Sequence, residues 1–172
     1  MEKVDVVDKN LKVLYSVEKQ EAHDKGFLHP TVIAEVINSR GEWLLVKQAG
    51  HKQDPGQFVS PVGGHVSSGE NFEDALKREA MEEVGLKTFN YKFINKKIYK
   101  RKWKIGIENH YFIVYEIYSD KEPVLNDESV EFKRFKPEEI KRLLIEKPEI
   151  FGNAFHFVAQ NIYSSLFGID PV

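Results

Sequence analysis

The chain has 172 residues, of which 41% are hydrophobic and 30% charged, with a formal net charge of -2 and no cysteine. This length favours one domain over residues 1–172 that folds without disulfides or a structural metal. The near-balanced charge disfavours nucleic acid as a partner, and the absence of cysteine excludes thiolate catalysis and zinc–thiolate sites. No window approaches the roughly 20 apolar residues of a membrane helix, and the N-terminus lacks the apolar core of a secretory signal. We therefore expect a cytoplasmic protein with no membrane partner.

Hydrophobic alternation and turn residues predict the elements in chain order. Strands are expected at 4–8, 11–17, 31–37, 43–47, 88–102, 105–118 and 130–135. Helices are expected at 71–84, 137–145 and 150–167, with a loop or short helix at 18–26 and an irregular loop at 50–64. Strands and helices mixed in this way predict an α/β fold, in which helices cover more than one face of the sheet.

The helix predicted at 71–84 carries acidic residues on an unusual face. Asn71 is expected to cap its start and Gly85 to end it. On a helical wheel the apolar stripe runs through positions 72, 76, 80 and 84, and three glutamates fall inside or beside that stripe: Glu79, Glu82 and Glu83. Buried carboxylates cost several kcal/mol unless something compensates their charge.

Two kinds of partner can compensate these carboxylates. The first is ion pairing, because Lys77 and Arg78 are neighbours on the same helix. The second is a metal ion, because residues at i, i+3 and i+4 can direct their oxygens to one point. Such a set suits Mg²⁺ or Mn²⁺, which keep free positions for water and substrate phosphates. The spacing therefore favours phosphate chemistry.

The sequence Gly64-x5-Glu70-x7-Arg78-Glu79-Ala80-x-Glu82-Glu83-x-Gly85-Leu86 resembles the Nudix box, the signature of Nudix hydrolases. Ala80 is smaller than the aliphatic residue that the family prefers. The resemblance implies an α/β/α sandwich around a mixed sheet, with a Nudix core at 28–167 and an N-terminal β extension at 1–27. It also implies hydrolysis of a diphosphate bond in a nucleoside diphosphate linked to another group X, and nucleoside di- or triphosphates are the favoured substrates. Metal-activated water would be the nucleophile.

The resemblance also assigns roles to residues of this chain. Arg78 would orient a glutamate and Glu70 would fix the loop before the helix, and both are counted with the catalytic residues. The general base remains open between Glu82, Glu83 and a later residue such as Glu108. The implied metal ligands are Glu79, Glu82, Glu83 and the carbonyl of Gly63. Two residues lie near where family members contact substrate, Lys47 and Phe58.

The N-terminal part resembles one branch of that family, isopentenyl-diphosphate isomerase and its hydrolase relatives. The isomerase holds a second metal with three histidines and two glutamates. The matching positions here are His23, His29, His65, Glu108 and His110, with histidine in place of the second acid. They indicate a candidate site for Mn²⁺ or Zn²⁺, although any single histidine is more often a satisfied structural residue.

Isomerase activity itself is the disfavoured alternative. The isomerase needs a cysteine at the position of Gly63, and this chain contains none, whereas the acids of the box are intact. A non-catalytic nucleotide- or RNA-binding module is a further alternative. It would rest on the basic and aromatic stretch at 96–104, for which an exposed hairpin with a solvated charged tip is the favoured interpretation. The family often forms homodimers, and the edge strands at 4–17 would offer a surface for one.

Overall fold

The computed structural model describes residues 1–170, so the last two residues of the predicted 1–172 domain lie outside the described part. The strands are β1 (Lys3–Val7), β2 (Val13–Glu18), β3 (His29–Ile37), β4 (Trp43–Gln48), β5 (Phe58–Val59), β6 (Val62–His65), β7 (Asn90–Trp103), β8 (Gly106–Tyr118) and β9 (Ser129–Phe135). The helices are α1 (Lys19–Lys25), α2 (Phe72–Val84), α3 (Pro137–Glu146), α4 (Asn153–Asn161) and α5 (Ser164–Phe167), with a 3-10 turn at Pro148–Ile150. None of the helices within residues 1–170 is long and apolar enough to cross a membrane.

Seven strands form one mixed sheet. Its order is β5-β4-β3-β8-β7, with β6 beside β3 and β9 beside β4. Strands β3 and β8 run parallel, whereas β4, β6, β7 and β9 pair antiparallel with their neighbours. The parallel register sets His29 opposite His110, which brings together residues 81 positions apart in the chain. The predicted mixed sheet is therefore confirmed.

Helices cover both faces of this sheet, as predicted. On one face, the apolar stripe of α2 packs on alternate residues of β3, including Val32, Ala34 and Val36. On the other face, Ile33 and Leu45 pack beneath the C-terminal helices α3, α4 and α5. Alternation along a strand sends successive side chains to opposite faces, so one fully buried strand supplies both cores.

Helix α2 begins and ends where its sequence predicts. The Asn71 side chain accepts a hydrogen bond from the Asp74 backbone N–H at 2.8 Å. Gly85 ends the helix in the left-handed region at φ 70°, which glycine adopts without steric cost. The same kind of ending closes α1, where Gly26 has φ 69°, so the polar segment at 18–26 is a short helix.

The segment at 50–64 is not wholly a loop, and this prediction was wrong. It contains the short strands β5 and β6, which pair with β4 and β3. Two- and four-residue strands carry little periodic signal of their own, and long-range pairing stabilises them.

The single helix predicted at 150–167 was also wrong. Gly152 has an extended backbone, and its N–H donates to the carbonyl of Phe58 at 2.9 Å, so α4 starts only after it. A Cβ on Gly152 would lie 2.6 Å from the Val59 side chain, so this close contact requires a glycine. The helix then breaks between α4 and α5, where Ile162 and Tyr163 leave the helical conformation.

The N-terminal hairpin of β1 and β2 is tied to the loop that precedes α2. Asp5 accepts hydrogen bonds from the Ser68 hydroxyl at 2.6 Å and from the Gly69 N–H at 3.0 Å. The Val7 N–H donates to the carbonyl of Leu28 at 2.9 Å. These contacts hold the first strand, and with it α1, against the part of the chain that carries the box.

Glu35 is a fully buried carboxyl group on β3. It accepts a hydrogen bond from the Ser60 hydroxyl through Oε1, whereas its Oε2 has no partner among the described residues. The register of β3 and β8 places Glu116 beside it, and Glu116 in turn accepts from the Tyr163 hydroxyl at 2.8 Å. Burial, together with the Glu116 charge, raises the pKa of Glu35 to about 8.

Replacing Glu35 with glutamine is expected to change how stability depends on pH. The folded-state pKa of about 8 lies above the ordinary 4.5, so the folded chain keeps a proton that the unfolded chain releases. The stability associated with this proton is complete below pH 4.5 and is lost as the pH rises through 8. We expect the wild-type free energy of unfolding to fall over this window by up to about 1.4 kcal/mol per pH unit, and Glu35→Gln to flatten the slope. Urea unfolding across the window measures both slopes, with Glu138→Gln, at an exposed acid on α3, as the control. Equal slopes in wild type and Glu35→Gln would contradict the assignment.

Candidate active site

A cavity of about 670 Å³ opens at the end of the sheet where the predicted site residues meet. Helix α2, strands β3, β6, β7 and β8, the segment before β5, and α4 all contribute to its wall. Its volume is in the range of small-molecule sites. Most of the predicted catalytic and metal-binding residues line it: His23, Gly63, His65, Arg78, Glu79, Glu82, Glu83, Glu108 and His110.

Arg78 is the most heavily bonded side chain of this cavity. Its Nε and Nη2 donate to the two oxygens of Glu70, both at 2.9 Å, and Nη1 donates to Glu79 Oε1 at 2.6 Å. Nη2 also donates to the carbonyl of His65 at 2.9 Å. Glu70 accepts in addition from the Ser67 N–H at 2.9 Å, and the Arg78 hydrogen bond is the main cause of its lowered pKa. The guanidinium therefore fixes the loop, the strand and the helix in one arrangement.

Glu79 and Glu83 are the two box acids that the fold withdraws from water. Only 8% of Glu79 is exposed, and burial raises its pKa to about 7. Glu83 is half-buried, and its Oε2 accepts a hydrogen bond from the Gly63 N–H at 2.9 Å. Burial, and then the charge of Glu79, raises the pKa of Glu83 well above its usual range. Glu82 is exposed, with Oε2 at 3.7 Å from Arg78 Nη1.

Ion pairing therefore explains only part of this acidic set. Arg78 pairs with Glu79, but no ion pair within residues 1–170 reaches Glu83. Lys77 turns away, with Nζ 5.8 Å from the centre of the Tyr91 ring. The arrangement leaves oxygens of Glu82 and Glu83 facing the cavity, and a hard divalent cation is the partner that such oxygens suit.

Gly64 makes room for the Glu79 carboxylate. A Cβ at this position would lie 2.2 Å from Cδ and Oε1 of Glu79, so only glycine permits the contact. Gly63 next to it is less constrained, since its nearest neighbour would be 3.8 Å away.

Glu128 is a cavity residue that sequence reasoning missed. It lies just before β9, where the Ala49 N–H donates to its carbonyl at 2.9 Å. Its carboxylate is 3.3 Å from Lys52 Nζ, and its charge contributes to the raised pKa values of Glu79 and Glu83. An acid in a polar loop carries no signal by itself, because exposed loops are commonly acidic.

Four of the five residues predicted for a second metal site come together. One ring nitrogen from each of His23, His29, His65 and His110 lies within 4.8 Å of the others. The Nε2 atoms of His23 and His65 are 3.1 Å apart. These histidines come from α1, β3, β6 and β8, so only the tertiary fold creates the cluster.

This cluster has the protonation and geometry that a metal requires. Burial is the main cause of the lowered pKa of all four rings, and it brings that of His29 to about 4. His29 Nδ1 lies 2.7 Å from the carbonyl of Phe27, while its buried Nε2 has no partner among the described residues. In metal-ligating histidines, a hydrogen bond at the ring nitrogen that does not bind the metal fixes the orientation of the ring. Neutral imidazoles with converging nitrogens fit a borderline cation such as Zn²⁺ or Mn²⁺.

Three further predicted residues, Glu108, Lys47 and Phe58, do not belong to the histidine cluster. Glu108 lines the cavity but is not one of the clustered metal-ligating groups, and its register partner on β7 is Arg101. Lys47 and Phe58 are not part of the cavity wall. The Lys47 ammonium pairs with Glu131 at 2.9 Å, and Phe58 is buried in the core beneath α4.

The basic stretch at 96–104 forms the second half of β7 and the first residue of the turn that leads into β8. Its lysines are exposed, while Tyr99 and Arg101 turn into the cavity. The exposed lysines support the RNA-binding alternative only through their charge. RNA binding at these lysines would also leave the convergence of the box acids unexplained.

Comparison with known proteins decides the family. The NUDIX domain matches residues 27–154. This chain belongs to the Nudix family. The match starts one residue before the predicted core and ends within α4. The predicted enzyme class, a Nudix hydrolase of the pyrophosphohydrolase kind, is thereby confirmed.

Three relatives illustrate the breadth of this Nudix group. An uncharacterised Nudix hydrolase of Clostridium acetobutylicum is 29% identical over 88% of this chain and 79% of its own. Isopentenyl-diphosphate Delta-isomerase 2 of Photorhabdus laumondii is 30% identical, with 85% of this chain and 84% of its own covered. Nucleoside triphosphatase NudI of Escherichia fergusonii is 29% identical over 64% of this chain and 84% of its own.

Solved structures agree on the Nudix fold. A crystal structure from Deinococcus radiodurans has a TM-score of 0.73 at 21% identity, covering 91% of this chain and 97% of the other. The MutT protein of Methanosarcina mazei has a TM-score of 0.61 at 21% identity, covering 82% and 91%.

The variant Gly64→Ala tests the close contact between β6 and α2. Its Cβ would displace the Glu79 carboxylate, so we expect Mn²⁺ affinity to fall by about tenfold or more with the fold retained. Isothermal titration with Mn²⁺ measures the affinity, and circular dichroism checks the fold. Gly63→Ala, which has room for a methyl group, should lose much less. Equal losses in the two variants would contradict this reading of the contact.

Proposed function

We propose that this Nudix enzyme hydrolyses a diphosphate bond in nucleoside di- or triphosphates and uses Mg²⁺ or Mn²⁺. The observation that carries the proposal is the convergence of three box acids and Glu128 on one cavity of suitable size. The similarity to a nucleoside triphosphatase supports the choice of substrate.

The carboxylates Glu79, Glu82 and Glu83 would hold the metal, together with the carbonyl of Gly63. When bound, the metal neutralises phosphate charge and lowers the pKa of water. Arg78 is a positioning residue, since all the contacts described for it are to the protein and none requires substrate. Its ion pair holds Glu79 in the orientation that the metal needs.

Glu83 is our choice for the general base over Glu82 and Glu108. Glu83 lines the cavity and the Gly63 N–H holds its Oε2 at 2.9 Å, whereas Glu82 is exposed and Glu108 lies on β8, away from the box helix. Water attacks one phosphorus, the new P–O bond forms, and the bridging P–O bond breaks. The carboxylate of Glu83 takes the proton that the water loses, and the second phosphate leaves with the bridging oxygen.

Isomerase activity is the second candidate, because a relative with that name is 30% identical to this chain and the four histidines come together as the resemblance implied. The position before Gly64 is occupied by glycine, and no thiol exists anywhere in the sequence. The histidine cluster thus indicates common ancestry with the isomerase, while the intact box acids favour hydrolysis.

We expect Glu83→Gln to lower kcat for the best substrate by about 10²–10⁴-fold, since the amide cannot accept the proton. Chromatography of products from a panel of nucleoside di- and triphosphates, with isopentenyl diphosphate included, measures the loss. The control is Glu73→Gln on the exposed face of the same helix. Near-normal turnover by Glu83→Gln in folded protein would reject the assignment.

We also propose that the four histidines bind a second divalent metal, Zn²⁺ or Mn²⁺. Because His23 belongs to α1 and the other three to the sheet, the metal would fasten the N-terminal segment to the core. A ligand that binds only the folded state raises its stability.

Elemental analysis of protein purified without a histidine tag should find about one such metal per chain. His23→Ala should lower that content severalfold and remove the drop in melting temperature that a chelator causes in the wild type. His51→Ala, at an exposed histidine away from the cluster, should behave as wild type. Protein that holds no metal, even after soaking, would exclude the site.

A further inference from the structure

Glu108 is a charged group in the cavity wall that the proposed chemistry does not use. It is half-buried, and no hydrogen bond within residues 1–170 reaches its carboxylate. Burial raises its pKa and the Arg101 charge opposes that change. A carboxylate withdrawn from water without a donor costs free energy unless a ligand supplies one.

Arg101 lies opposite Glu108 on the neighbouring strand β7, and Asp54 holds its side chain in place. Its Nη1 donates to Asp54 Oδ1 at 3.1 Å, and Asp54 is only 7% exposed. The Asp54 backbone N–H donates to the Gln48 side chain at 2.9 Å, and Gly152, just before α4, lies close to the Asp54 carboxylate. The guanidinium has five N–H donors, and although Asp54 and the Tyr99 hydroxyl are its partners, donors remain for a ligand.

The surrounding wall is polar and preformed. Tyr99 donates a hydrogen bond to Asn153 at 2.5 Å, and its ring stacks on Phe112 at a centroid distance of 4.7 Å. Both rings are more than 90% buried, so neither offers a free face on which a base could stack. Recognition at this wall must therefore come from hydrogen bonds.

We infer that Glu108 and Arg101 form the subsite for the group X and select an X with neighbouring hydroxyl groups, such as ribose. Two vicinal hydroxyls can donate to the two oxygens of Glu108, while Arg101 donates to a hydroxyl oxygen. This pairing gives the unbonded carboxylate of Glu108 the donors that the protein does not supply. An isoprenyl chain would leave both charges desolvated and unpaired, which is unfavourable.

The inference rests on the proposed hydrolase function and narrows its substrate. By sequence, Glu108 occupies a position that the resemblance assigns to a metal ligand. The inferred role in binding X gives Glu108 a different function. Four histidines already fill the coordination positions that a tetrahedral site offers.

The test compares each of the four ribonucleoside triphosphates with its 2′,3′-dideoxy analogue, which differs only in the hydroxyls. In Mg²⁺ or Mn²⁺, wild-type kcat/KM should favour the ribonucleotide by about tenfold or more, because a site that hydrogen-bonds a hydroxyl rejects the analogue that lacks it. Glu108→Gln should reduce this ratio to within about threefold of one, mainly through KM for the ribonucleotide. Arg101→Lys keeps the charge but not the planar fork, and should reduce the same ratio.

The control is Glu131→Gln, because Glu131 lies on β9 outside the cavity and pairs with Lys47 of β4, and the ratio of this variant should equal that of the wild type. Melting temperatures by circular dichroism confirm that each variant is folded. Turnover without any preference in the wild type would overturn the subsite and leave the hydrolase intact. A Glu108→Gln variant that slows both analogues equally would also overturn it. No turnover of any nucleotide by metal-loaded wild type would overturn the proposed function itself, and the subsite with it.

Discussion

The active site of this Nudix enzyme depends on the hydrogen bonds of one guanidinium. Arg78 binds a loop residue, a helix residue and a strand carbonyl at the same time, through Glu70, Glu79 and His65. Its planar fork matches the two oxygens of Glu70, a geometry that lysine cannot reproduce. Without it, the buried carboxylate of Glu79 would lose the one cation that pairs with it within residues 1–170, and the loop that leads into α2 would lose its ion pair through Glu70.

Strand β6 connects the acidic site and the histidine cluster. Successive residues serve different partners: the Gly63 N–H binds Glu83, Gly64 admits Glu79, and the His65 ring joins the histidine cluster. The His65 carbonyl accepts from Arg78 at the same time. A four-residue strand thus forms a wall shared by the acidic site and the histidine cluster. A displacement of this strand would change the geometry of both.

Sequence alone was most informative where the cause is local. The ends of α2 follow from Asn71 and Gly85, and the convergence of its acids follows from helical spacing. The histidine cluster could be reached only through family resemblance, because it depends on the parallel register of β3 and β8. Glu128 and the Asp54–Arg101 pair gave no signal, since each joins segments far apart in the chain. The missed strand β5 and the break at Gly152 share one cause, a tertiary contact between Phe58, Val59 and the start of α4.

The charges of the cavity constrain the order of binding. Burial is the main cause of the raised pKa of Glu79 and Glu83, and the negative charge of Glu128 in the same cavity adds to it. Lys52 and Arg78 are already engaged with acids of the protein, so a diphosphate that entered alone would meet net negative charge. In the proposed mechanism, a divalent cation would remove this repulsion for protein and substrate together, so the binding of metal and the binding of substrate would favour each other. Arg101 is also paired with an acid, Asp54, but it lies in the wall formed by β7 and β8 and not among the box acids. In the proposed function, the acidic side of the cavity would bind the cation and the phosphates, and the wall of β7 and β8 would bind the rest of the substrate.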